Sequence, residues 1–271
     1  MAQIDYIKKL KQAYRQKGIY SSENNNSLPL HRACLFNDVC WESENLMKRQ
    51  DSETYNGINC PYIGQRYHDS RLLAIGENNR NDVKPHCFRS EQFWVQDAAK
   101  RIISREPKGT NLYSYLSEYV TIILVKLGIL KDIKLDEIDN TIKSSVLNEY
   151  IAWTQLVKCN PQNENGNQRN RPRKNMYKIC PKHILKDEIE ILNPKYILTL
   201  GKETFNETIT VLEKQLGYSG SSKNISDDNK VRIWKGKLNS FELVVIGTFH
   251  PSYPKYVFPE IKGYLKNITI T

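Results

Sequence analysis

The 271-residue chain carries 40 Lys+Arg against 30 Asp+Glu, a formal net charge of +10. With 39% hydrophobic and 26% charged residues and a mean hydropathy of −0.61, it reads as a polar globular protein, which excludes a disordered chain. Its longest apolar run, from Tyr119, ends at Lys126, short of the ~20 residues that a bilayer-spanning helix needs.

The N-terminal residues hold no apolar signal segment, so a cytoplasmic protein without membrane contact is expected. The positive surplus points to a polyanionic partner, chiefly nucleic acid. Without an export signal, the six cysteines point to metal binding or ordinary burial rather than disulfides.

Ile4, Ile7, Leu10 and Tyr14 recur at helical spacing with lysines opposite, which predicts a helix docked on the surface. Residues 21–27 form a polar loop. Arg71 to Ile75, closed by Gly76, predicts a buried strand. Helices are expected at about 90–105 and 112–128, and a second strand at Tyr150 to Val157. A basic loop from Asn160 to Lys174 holds Arg169, Arg171 and Arg173. A helix over Pro181 to Leu192, a strand over Lys195 to Leu200 and a helix over about 202–216 follow. Residues 219–228 read as a turn-rich connection, and Lys230 to Trp234 and Glu242 to Ile246 as two more strands.

Alternating strands and helices predict an α/β fold: a three-layer sandwich with a central, mainly parallel, four-stranded sheet flanked by helices. The whole of 1–271 reads as a single domain, with 1–60 an N-terminal helix and cysteine-bearing extension. In such folds ligands bind beyond the carboxyl ends of the strands. That singles out Gly76–Arg80, Lys158–Pro161, Gly201–Glu203 and Thr248–Ser252. The sequence lacks a Walker A loop, a Gly-x-Gly-x-x-Gly turn, a His-Glu-x-x-His pair and any Cys-x-x-Cys.

Taken in order, these segments resemble the uracil-DNA glycosylase superfamily, closest to its iron–sulfur branch. Gly76-Glu77-Asn78-Asn79-Arg80 stands for that branch's Gly-Glu-Ala-Pro-Gly. Gln155-Leu-Val-Lys-Cys159 stands for Asn-Val-Val-Lys-Cys, and Asn170-Arg-Pro172 with Cys180 for the following loop and cysteine. Asn193-Pro to Leu200-Gly201 and His250-Pro251-Ser252 complete a match over about residues 60–255.

The resemblance implies the following roles. His250 donates a hydrogen bond to the departing base, where negative charge develops. Asn78 orients the attacking water, with Glu77 a second candidate for activating it. Gln155 reads the base in place of the branch's Asn, and Arg80 stands where a small or tyrosine residue gates the C5 position. Phe88 and Phe93, with Trp94 beside them, lie in the region that stacks on the flipped base, although Phe93 or Trp94 could equally form a helix's core face. Ser252, Tyr253 and Lys255 fall where the family wedges the minor groove, and Arg171 and Arg173 supply backbone contacts. Cys159 and Cys180 match two cluster ligands; Cys34 and Cys40 are the nearest upstream pair, Cys60 could replace one of them, and Cys87 looks like a bystander. Four thiolates suit a [4Fe–4S] cluster, with zinc the alternative and six buried thiols the plain reading. The chemistry itself needs no cofactor.

The expected function is a monomeric, monofunctional DNA glycosylase. It flips uracil or a C5-modified pyrimidine from duplex or single-stranded DNA and leaves an abasic site. A modified cytosine of phage DNA, attacked in antiviral defence, is one such substrate. The alternatives are a catalytically inactive nucleic-acid-binding member of the same fold and a cysteine-based redox or metal sensor.

Overall fold

A computed structural model describes residues 2–17, 60–77, 88–104, 111–158, 174–226, 228–250 and 257–270. The strands are β1 (Tyr62–Ile63), β2 (Leu72–Gly76), β3 (Ile151–Gln155), β4 (Tyr196–Leu200), β5 (Ser219–Asn224), β6 (Val231–Leu238) and β7 (Phe241–Thr248). They form one seven-stranded sheet in the order β1-β3-β2-β4-β7-β6-β5. The central four, β3-β2-β4-β7, are mutually parallel. β1 adds antiparallel at one edge and the β5–β6 hairpin at the other. The sheet is therefore mixed and larger than the four strands expected, because three antiparallel strands extend a parallel centre.

The helices are α1 (Ala2–Gln16), α2 (Tyr67–Ser70), α3 (Phe88–Ser104), α4 (Asn111–Lys126), α5 (Asn140–Glu149), α6 (Lys174–Cys180), α7 (Lys186–Leu192), α8 (Lys202–Gln215) and α9 (Val257–Asn267), with a π-helical turn, Pro181–Leu185, running between α6 and α7. Helices α3, α4, α5 and α9 pack their apolar sides on one sheet face, through residues such as Val95, Leu116, Val146 and Ile261. Helices α1, α6, α7 and α8 cover the other face, through Leu10, Met176, Ile189 and Phe205. Both faces of the central strands are thus covered, which is why these strands read as unbroken apolar runs. All five residues of β2 and of β3 are buried.

Several elements differ from the sequence expectation. Ser219–Asn224, read as a connection, is an edge strand. All six of its residues are exposed, so no apolar alternation betrays it, and backbone pairing to β6 holds it in place. Its Gly220 faces the Trp234 ring, where a Cβ would lie 2.5 Å from the indole. The helix expected from Pro181 begins at Lys174 instead. α5 escaped detection because its apolar stripe is thin, with Ser144, Val146 and Leu147 its buried residues; Asp139 caps it by accepting from the Ile142 N–H at 2.8 Å. α9 carries Pro259 in its first turn, a position where proline is tolerated. In α1, Leu10 and Tyr14 are buried as expected but Ile4 is 55% exposed; Tyr6 instead packs edge-on against Tyr67. The helix is docked, as its amphipathic pattern predicted.

Candidate active site

Because β3, β2, β4 and β7 are parallel, the described residues of the four segments singled out in the sequence (76–77, 158, 201–203 and 248–250) come to one edge of the sheet. Gly76 aligns with Gln155, and Leu200 aligns with Thr248. The Gly201 N–H donates to the Thr248 carbonyl at 2.8 Å, tying the β4 and β7 ends together. The next described helix after β2, α3, packs on one face of the sheet, and α8, which follows β4, packs on the other. Adjacent strands whose connections part to opposite faces open a crevice between them, the usual place for a ligand in such sheets. Glu77 follows β2, and Phe249 and His250 follow β7. Strands lie ~4.8 Å apart, so two spacings put these chain positions roughly 10 Å from each other, about a nucleoside's width.

Pairing between β2 and β3 continues beyond the strands. The Leu156 N–H donates to the Gly76 carbonyl at 2.7 Å, and the Val157 N–H to the Glu77 carbonyl at 2.9 Å. The Glu77 backbone is thereby fixed, and its Oε1 accepts a hydrogen bond from the Tyr177 hydroxyl on α6. The Gln155 side chain folds over Gly76. A Cβ there would stand 2.5 Å from the Gln155 Oε1 and 2.9 Å from the Trp153 ring, so only glycine admits the amide. Gln155 is 8% exposed. Its Oε1 is buried and has no hydrogen-bond partner among the described residues. An orphaned acceptor of this kind costs about 1–3 kcal/mol, which a ligand donor would recover.

Beneath the edge lies a buried polar cluster. The Lys158 ammonium and the Glu188 carboxylate are both fully buried and 2.7 Å apart. The Thr154 hydroxyl donates to Glu188 at 2.9 Å, Lys158 also donates to the Thr154 hydroxyl, and the Tyr14 hydroxyl donates to Glu188. Burial first, and then the Glu188 charge and the neighbouring Cys60 and Cys180 thiols, push the Tyr14 phenol well above its usual range. This cluster joins the β3 end to α7 and α1. Sequence reasoning missed it; the one signal was a lysine set within the apolar run Leu156-Val157-Lys158.

Of the predicted site residues, Glu77, Gln155 and His250 stand at the common edge, Glu77 and His250 partly buried. Phe88 and Phe93 lie on α3, with their side chains outside what the structure describes. Asn78, Arg80, Arg171, Arg173, Ser252, Tyr253, Lys255, Cys34, Cys40 and Cys159 lie outside the described residues. Cys180 and Cys60 are 3% and 4% exposed and belong to the same core cluster. Among the described residues no three His, Cys, Asp or Glu side chains group as a metal site. Lys202, from the Gly201–Glu203 segment singled out in the sequence, and Arg232, which was not foreseen, flank a small recess with Gly201, Thr248 and Phe249 and add positive charge beside the His250 chain. A cleft of about 800 Å³ opens at the opposite end of the sheet, between Lys195 and Glu242, away from these groups.

The helix-covered sheet with its parallel centre, and the polar residues at the carboxyl edge of that centre, define an α/β protein. The profile of the uracil DNA glycosylase superfamily matches residues 64–262, most of the chain, and the protein belongs to that superfamily. No curated protein matches it in sequence. No helix among the described residues is long and apolar enough to cross a membrane.

Proposed function

We propose that the chain is a monofunctional DNA glycosylase acting on uracil or a C5-modified pyrimidine, a modified phage cytosine being one such base. The observation that carries this reading is the buried Gln155 amide, whose unsatisfied Oε1 sits against Gly76 at the strand-end crevice of a superfamily member. An amide presents one acceptor and one donor side by side. That pair complements the N3–H and O4 of uracil, or the N4–H and N3 of a cytosine.

The reaction follows from the groups at the edge. A nucleotide turned out of the stack enters between Glu77 and His250, its base against Gln155 and stacked on Phe88 or Phe93. The C1′–N1 bond breaks with its electron pair going to the base, and His250 donates a hydrogen bond to O2 as charge gathers there. Water held by Asn78, with Glu77 accepting its proton, closes on the cationic C1′. The products are a free base and an abasic site. By the resemblance, Arg80 would stand on the C5 side of the pocket, where a side chain that does not stack as a gate leaves room for a 5-substituent. Ser252, Tyr253, Lys255, Arg171 and Arg173 would grip the duplex, with Lys202 and Arg232 adding charge at the same edge. Lys158, which follows Gln155 after Leu156 and Val157, is bound to Glu188 in the interior, which argues against an amine nucleophile there and so against strand cleavage.

The cysteines suit a structural metal centre. Two buried thiols, Cys60 and Cys180, lie in one cluster and both act on the Tyr14 phenol, and Cys159 directly follows Lys158 in sequence. Cys34 or Cys40 would complete a four-thiolate set for a [4Fe–4S] cluster or zinc, pinning the N-terminal segment to the body. When bound, such a centre supplies structural cross-linking and no step of the hydrolysis.

The test is incubation of the purified protein with duplexes carrying uracil or 5-substituted cytosines, followed by alkaline cleavage and mass detection of the freed base. Release from one of them supports the reading, and iron and zinc analysis of the same preparation addresses the thiols. No release from any duplex at stoichiometric protein refutes the reading; tight binding to an abasic duplex would then favour the inactive DNA-binding alternative.

A further inference from the structure

We infer that Tyr177 is a positioning residue for Glu77, holding that carboxylate at the rotation in which it meets the attacking water; the inference rests on the glycosylase reading above. Glu77 is the first residue past β2, and two independent restraints converge on it. Its carbonyl is held by the Val157 N–H at 2.9 Å, which fixes where the side chain starts. Its Oε1 is held by the Tyr177 hydroxyl, which fixes where the side chain ends. A glutamate has three rotatable side-chain bonds, so restraint at both ends narrows its set of rotamers.

Tyr177 itself is rigidly mounted. It lies on α6 between Met176, which is fully buried, and Cys180, which is 3% exposed, and its ring packs against the core of that face. The helix continues through the π-helical turn Pro181–Leu185 into α7, where Glu188 bonds Lys158 and Thr154 beside the β3 end. One helical run thus grips two adjacent strand ends at this edge: β2 through Tyr177, and β3 through Glu188. π-helical turns concentrate at functional sites, since they offset the side chains that follow from those that precede. Here the offset separates the Tyr177 contact from the Glu188 contact.

A phenol–carboxylate bond at a partly exposed position contributes little to folding but matters for preorganisation, where a misplaced acceptor cannot help in the transition state. Losing one hydrogen bond to a charged group corresponds to about a tenfold effect or somewhat more.

The experiment compares native protein, Tyr177→Phe, Glu77→Gln and the double variant in single-turnover base release, with binding to an abasic duplex and thermal midpoints measured alongside. Phe keeps the ring and its packing and removes the hydroxyl alone. The expected result is release about tenfold slower in Tyr177→Phe, unchanged duplex affinity and midpoint, and a double variant no slower than Glu77→Gln. Release as fast as native overturns the inference, as do losses that multiply in the double variant. A lowered midpoint with an unchanged rate per folded molecule makes Tyr177 structural and also overturns it. Native protein that releases no base refutes the glycosylase reading itself and the inference with it.

Discussion

Replacing Lys158 with Met removes one half of an ion pair whose two partners are fully buried and 2.7 Å apart. The methionine fills the space of the lysine stem, so the perturbation is electrostatic rather than a cavity. Glu188 would be left as a buried carboxylate that still accepts from the Thr154 and Tyr14 hydroxyls. Breaking a buried pair from one side costs about 3–5 kcal/mol. Two retained donors place this case at the lower end, near ~3 kcal/mol. For a chain of this size that lowers the thermal midpoint by about 6–12 °C. Urea denaturation followed by circular dichroism measures the loss directly. Adding Glu188→Gln should restore most of it, because the amide oxygen still accepts from Tyr14, the amide NH2 can donate to the Thr154 hydroxyl that Lys158 no longer occupies, and no charge remains buried. A loss below about 1 kcal/mol in Lys158→Met, or a double variant no more stable than the single, would refute the reasoning.

Gln155→Leu should separate stability from function. It removes a buried acceptor that lacks a partner among the described residues, so stability in urea should hold or rise by about 1 kcal/mol, while base release should fall at least about a hundredfold; equal loss of both would show that the amide is structural. Glu118 bonds Lys262 of α9 and Lys143 of α5. Burial alone would raise its carboxyl, but the two ammonium groups outweigh it and hold the group below its usual 4.5. A depressed carboxyl stabilises the fold above about pH 4.5, and that contribution is lost as pH falls further through the folded value. Glu118→Gln should therefore be less stable than native at pH 7, and the difference should shrink as pH falls below 4.5, as read from urea midpoints across that range; parallel curves at all pH values would exclude the linkage.

The sequence alone was enough for the architecture at the centre of the molecule. The runs at Leu72–Gly76, Ile151–Gln155 and Tyr196–Leu200 are strands, and they were legible because a parallel strand buried on both faces must be apolar throughout. The glycine-closed ends and the His250 segment also pointed to one edge, since parallel strands deliver their carboxyl ends to the same side. The flanks of the sheet were not legible. β1 has two residues and β5 is wholly exposed, so neither carries a periodic signal, and only pairing with a neighbour makes them strands.

The site divides in the same way. Glu77, Gln155 and His250 were nominated by the resemblance of their ordered strand-end segments to the superfamily's motifs. Tyr177, Glu188 and Tyr14 could not be nominated from sequence. Each meets its partner across 100, 30 and 174 positions of chain respectively, and a hydrogen bond over such a separation leaves no local pattern. Which groups lie at the edge was therefore written in the sequence; which of them are held, and by what, was decided by the packing of α6, α7 and α1 against the sheet.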